Sequence, residues 1–93
     1  MPVAFEYDPR KAAINLKKHG VSFPEAMTVF DDPLASTLPD DQHSDEELRW
    51  ISVGKSSHQR ILFVVYTETN SGIRLIGARA ATAAEIRQYE EVS

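Results

Sequence analysis

The chain has 93 residues, 42% of them hydrophobic and 26% charged, with a formal net charge of -4 and no cysteine. That length holds one small domain, read here as spanning residues 1–93, and the absence of cysteine removes disulfides and thiolate metal sites. The longest apolar run, ILFVVY at 61–66, is far below the ~20 residues that span a bilayer, and MPVAFEYDPRK has no basic segment leading into an apolar stretch. A soluble cytoplasmic protein with no membrane partner is the expectation.

Charge is unevenly spread. Seven of the 14 acidic residues (Asp31, Asp32, Asp40, Asp41, Asp45, Glu46, Glu47) fall in a stretch without Lys or Arg, so elsewhere ten cations face seven acids. Residues 48–82 hold Arg49, Lys55, Arg60, Arg74 and Arg79 against the single acid Glu68. An acidic total therefore leaves room for a positive surface and does not exclude a nucleic-acid partner.

VAFEY (3–7) reads as a short first strand. Asp8 then caps a helix with Pro9 at its first position, and the helix runs to Gly20. Ala12, Leu16 and His19 share one face of it, a thin stripe that needs a partner. Ser22-Phe-Pro-Glu25 is a capping box opening a second helix whose Phe23, Ala26, Met27 and Phe30 recur at helical spacing up to Asp32-Pro33. With only a few residues between them, the two predict a helical hairpin in which the second helix is the first one's partner.

From Pro33 onward the pattern is that of strands. LASTL (34–38) is followed by PDDQHSDEE (39–47), which lacks apolar periodicity and reads as an exposed loop. LRWISVG (48–54) alternates, and RILFVVYTE (60–68) is apolar almost throughout, as expected of a strand covered on both faces. KSSHQ and TNSG read as hairpin turns, and GIRLIGARAA (72–81) is the last strand. Thr82-Ala-Ala-Glu85 is a second capping box, opening a short helix that docks through Ile86, Tyr89 and Val92. The expected class is α+β: a short first strand, a helical hairpin, an antiparallel four-strand meander and a C-terminal helix.

FEYDPRKAAINLKKHGVSFPEAMTVFDDP, HSDEELRWISVG, RILFVVYTE and IRLIGARAATAAE, in that order and over almost the whole chain, resemble the BrnT family of type II toxins. The resemblance implies a RelE-like fold and a ribonuclease that cuts RNA without a metal or other cofactor to block translation. It also implies neutralisation by a BrnA-like antitoxin with a ribbon-helix-helix domain, with operator DNA met only through that antitoxin. Three positions depart from the family pattern. Thr69 stands where Arg is usual after YTE, Leu48 interrupts what is more often EERW, and Gly77 sits where ISAR is usual.

Metal-free RNA cleavage needs a base for the 2′-hydroxyl, cations for the phosphorane and an acid for the departing 5′-oxygen. His19, beside Lys17 and Lys18, is a candidate proton carrier, since imidazole suits transfer near neutral pH. Its structural readings, which weigh more, are the last turn of a helix closed by Gly20 or a packed interior residue. Arg79, between small residues and before the orphan N–H groups of the last helix, is a candidate catalytic cation; its structural reading is an ion pair with Glu85 or the acidic loop. Tyr66 is a candidate acid or a core-edge tyrosine, and Glu85 is a further candidate acid or base. Lys18, Arg49 and Arg74 are candidate RNA-binding cations, with Arg suited to two phosphate oxygens at once. His43 among Asp45, Glu46 and Glu47 lacks a fixed ligand geometry, so no metal site is assigned. His58 reads as exposed and inert, and Trp50 as either a base-stacking or a packing residue.

A noncatalytic interaction module is the competing function, supported by the acidic total and the short last helix. Direct DNA binding ranks below both because no basic recognition helix is present. Homodimer and heterotetramer with the antitoxin both remain compatible.

Overall fold

The computed structural model describes residues 4–42 and 47–91. Its sheet has five strands in the order β1-β5-β4-β3-β2: β1 (Ala4–Glu6), β2 (Ser36–Pro39), β3 (Arg49–Lys55), β4 (Ile61–Glu68) and β5 (Gly72–Ala80). The four strands after the helices form the expected antiparallel meander. The first strand joins it by running parallel to β5, Ala4 opposite Gly72 and Glu6 opposite Arg74. This non-local pairing leaves no short-range sequence signal. A Cβ on Gly72 would collide with the Ala4 backbone, so the contact needs glycine there.

Three helices complete the chain: α1 (Pro9–His19), α2 (Phe23–Met27), which continues as a 3-10 turn over Thr28–Asp31, and α3 (Ala83–Glu91). Asp8 caps α1 by accepting from Arg10 N–H at 2.8 Å, and Gly20, at φ 69°, closes it by donating to Leu16 O at 2.9 Å. The second helix is thus shorter than the sequence pattern suggests. Of the apolar residues expected to turn inward, Phe23 and Ala26 are fully buried and Met27 and Phe30 half-buried against the core, while Val29, outside that spacing, is also fully buried.

The face of α1 differs from the expected one. Leu16 and Ile14 are exposed, and the buried residue is Asn15. The reason is the edge of β5. β1 accompanies β5 only as far as Arg74, which leaves the N–H and C=O of Ala78 without a strand neighbour on that side. Asn15 Nδ2 donates to Ala78 O at 2.8 Å and to Val21 O at 2.9 Å, while its Oδ1 accepts from Ala78 N–H at 3.1 Å. One amide side chain thereby substitutes for a strand, and α1 packs mainly on β5 instead of on α2.

β4 is not equally covered on its two faces. Leu62, Val64 and Tyr66 are buried against Val21, Phe23, Ala26 and Val29, with Phe30 edge-on to Tyr66 at 5.0 Å. Ile61, Phe63 and Val65, on the other face, are only half-buried. Part of that face is roofed by α3, which lies against β3. Tyr89 anchors it by donating to Asp32 Oδ2 at 2.6 Å. Val92, expected to help this docking, lies outside the described residues, as does Val3 of the first strand.

Candidate active site

Where α3 leaves the second sheet face uncovered there is a cleft of about 650 Å³. Each wall follows from a local feature of the chain. Asn15 pins α1 to β5, so the helix's last turn carries Lys18 and His19 to the rim. Arg60 Nη2 donates to Gly20 O at 2.8 Å and ties that cap to the β3–β4 turn. Arg49 enters from the start of β3, beside Asp40, whose N–H donates to Arg49 O at 2.8 Å. Phe63 and Val65 of β4, with Ile76 and Gly77 of β5, make the floor, and Arg79 lies over the Phe63 ring at 3.9 Å. The register explains the floor: Phe63 is opposite Arg79 and Val65 opposite Gly77, with an irregularity between Val65 and Tyr66.

Four residues singled out from the sequence, Lys18, His19, Arg49 and Arg79, therefore line one cleft. Tyr66 does not join them. Strand alternation turns it to the core, where it is 7% exposed and burial raises its pKa, helped by the Glu68 charge and opposed by a Thr37 hydrogen bond. Arg74 is also elsewhere, at the junction with β1, where it pairs with Glu6 at 3.3 Å. His19 is exposed at the helix end, so the packed-interior reading is corrected. Trp50 packs against the core cluster.

Arg79 makes the ion pair that its structural reading anticipates. Nη1 and Nη2 donate to the two Glu85 oxygens at 2.8 and 3.0 Å, and Nη1 also donates to Ala80 O at 3.1 Å. Glu85 in turn accepts from Thr82 N–H at 2.8 Å and its own N–H donates to Thr82 Oγ at 3.2 Å, completing the capping box and occupying two of the N–H groups of the expected anion seat. The Arg79 hydrogen bond holds the Glu85 carboxyl below its usual range, against a smaller opposing effect of burial.

The other capping box forms only by half. Ser22 Oγ accepts from Glu25 N–H at 3.1 Å, but the Glu25 side chain turns inward. It accepts from Arg60 Nε at 2.7 Å, Arg60 Nη2 at 2.6 Å and Ser56 Oγ at 2.7 Å, and His58 Nδ1 lies 3.2 Å away. His58 is thus exposed but paired, not inert. The Arg60 hydrogen bonds bring the Glu25 pKa to about 2, outweighing burial.

Asn15, Asp40 and Phe63 are among the cleft residues to which the motif reading assigns no site role. Asp40 was expected in an exposed loop, yet it is 8% exposed beside β3. The usable signal was register: an antiparallel pairing of 34–38 with 49–54 brings the residue after Pro39 next to Arg49. His43, Asp45 and Glu46 lie outside the described residues, and among the described residues no three His, Asp or Glu gather as a metal site. No helix there is long and apolar enough to cross a membrane.

A small mixed sheet with helices on one face and a C-terminal helix on part of the other is the fold of a known ribonuclease toxin. The fold matches the crystal structure of the Brucella abortus ribonuclease toxin, BrnT, at a TM-score of 0.68, with 21% identity over 87% of this chain and 99% of that one. The family described as "Ribonuclease toxin, BrnT, of type II toxin-antitoxin system" matches residues 7–85, and the chain belongs to that family. No curated protein sequence matches it. Family membership makes it a ribonuclease toxin with an antitoxin partner.

Proposed function

We propose that the chain is a metal-independent endoribonuclease whose chemistry is carried in the cleft. The observation behind this reading is the convergence of Lys18, His19, Arg49 and Arg79 on one open pocket in a chain of this family. In the proposed reaction the RNA 2′-oxygen attacks the adjacent phosphorus as its proton leaves, and the P–O5′ bond breaks as the 5′-oxygen takes up a proton. The products are a 2′,3′-cyclic phosphate and a 5′-hydroxyl. His19 is the proton carrier. Lys18 and Arg49 meet phosphate oxygens, and Arg79, already bridged to Glu85, adds positive potential where charge accumulates on the phosphorane.

The proposed partner is a BrnA-like ribbon-helix-helix antitoxin, through which alone the complex would meet operator DNA. A basic partner suits the exposed acids Asp31 and Asp41. The test is incubation of purified protein with total RNA in excess EDTA. Cleavage by wild type that disappears in His19→Ala and falls steeply in Arg79→Ala is the expected result. Intact RNA with folded wild type, both on free RNA and in a translating extract, would leave the noncatalytic interaction module as the reading.

A further inference from the structure

Gly77 adjoins the irregularity that leaves Ile76 unpaired in β5, but its φ is not positive, so that bulge does not require glycine there. A Cβ at Gly54 would press on Ala35 at 2.8 Å, and Gly20 needs its positive φ. At Gly77 φ is ordinary, and a Cβ would meet nothing closer than Asn15 Oδ1 at 3.7 Å, which is normal contact. A glycine inside a strand weakens it, so a strand glycine that packing does not require points to something approaching the backbone closely. What lies over Gly77 is the cleft.

The surroundings define what fits. Val65 is opposite Gly77, and the Arg79–Phe63 stack is the next cross-strand pair on the same face. Both terminal nitrogens of Arg79 are engaged in its plane by Glu85, so the group is better placed to offer its flat face than its fork. Guanidinium planes and apolar floors accept nucleobases, whereas a phosphate or ribose would need hydrogen-bonding partners that Val65, Phe63 and Ile76 lack. Lys18 and Arg49 on the rim suit the phosphates on either side.

We infer that the floor over Gly77 seats one base of the RNA, beside the Arg79–Phe63 stack, and that the missing side chain at Gly77 sets the depth of this seat. The inference rests on the ribonuclease reading and adds a base subsite to it.

The test compares a complete oligoribonucleotide with two abasic ones, each lacking the base of one nucleotide flanking the cleaved bond. Cleavage is followed on all three, and binding by anisotropy on their 2′-O-methyl forms. Wild type should bind the complete strand about tenfold more tightly than one of the abasic strands, the scale of one stacked base. Gly77→Val should lose that preference while binding that abasic strand like wild type, and Gly77→Ala should fall between them, with thermal unfolding showing that both variants fold. A folded Gly77→Val that keeps the wild-type preference would overturn the subsite, as would a wild type that cleaves all three strands with equal KM. If wild type neither binds nor cleaves any of the strands, the ribonuclease reading fails first and the subsite with it.

Discussion

Two Arg–Glu pairs of similar bidentate geometry occupy different regions and do different things. Glu25 is buried at the β3–β4 turn, its side chain 2% exposed, and accepts from Arg60 and Ser56 with His58 beside it. Glu85 stands at the cleft mouth, 22% exposed, and its Arg79 is 35% exposed and laid over Phe63. Removing Arg60 leaves a charge with little access to water; removing Arg79 leaves Glu85 still held by Thr82 N–H and near solvent. The same ion pair is thus a structural lock in one place and an adjustable part of a binding surface in the other.

The largest expected effect is on the lock. Arg60→Ala should lower unfolding free energy by roughly 3 kcal/mol, because the buried Glu25 carboxylate loses both charge-assisted hydrogen bonds from Arg60, which is itself 40% exposed. It also frees the Gly20 carbonyl, so denaturant unfolding is the measurement. Asn15→Ala strands the Ala78 N–H and C=O and the Val21 carbonyl, and should cost about 3 kcal/mol in the same assay.

The pH dependence separates the pairs further. Glu25 is lowered from 4.5 to about 2 in the fold, so its stabilisation is complete above pH 4.5 and is lost as pH falls toward 2. That contribution is about 3 kcal/mol. Glu25→Gln should flatten the acid limb of a stability profile over that window. Glu85→Gln should flatten it less, because its shift is smaller.

Arg79→Ala reverses the emphasis: unfolding free energy should change by about 1 kcal/mol or less, while RNA cleavage falls about 100-fold. If stability falls as it does for Arg60→Ala, the contrast between the two pairs is wrong. A smaller loss of stability than from Arg60→Ala or Asn15→Ala is expected of Tyr89→Phe, which removes one of three hydrogen bonds to Asp32. Burial alone would raise the Asp32 pKa, but the bonds from Lys55 N–H, Tyr89 O–H and Leu34 N–H outweigh it and leave it lowered. The loss should be about 1.5 kcal/mol in thermal unfolding.

What was readable in the sequence was local chemistry. Asp8, Gly20 and Thr82 act as caps where spacing says they should, and the four meander strands fall between their turn residues. Contacts between distant residues were not readable. The capping-box rule sees Glu25 three residues from Ser22 but not Arg60, and it predicts the wrong partner for that carboxylate. Asn15 breaks the apolar stripe of α1, and only the β5 edge left open by β1 explains its burial. β4 is apolar on both faces, so composition does not say that Tyr66 goes to the core and Phe63 to the cleft. The cations were easier to find because few residue types suit phosphate; Asp40 was hidden inside an acidic run that looks solvated throughout.

The most direct test of the account is single-turnover cleavage of a defined oligoribonucleotide in excess EDTA, with the product ends analysed. Wild type should leave 2′,3′-cyclic phosphate and 5′-hydroxyl ends, and His19→Ala, folded to the same thermal midpoint, should leave the strand intact. Cleavage by His19→Ala at the wild-type rate, or wild-type products ending in 3′-hydroxyl and 5′-phosphate, would contradict it.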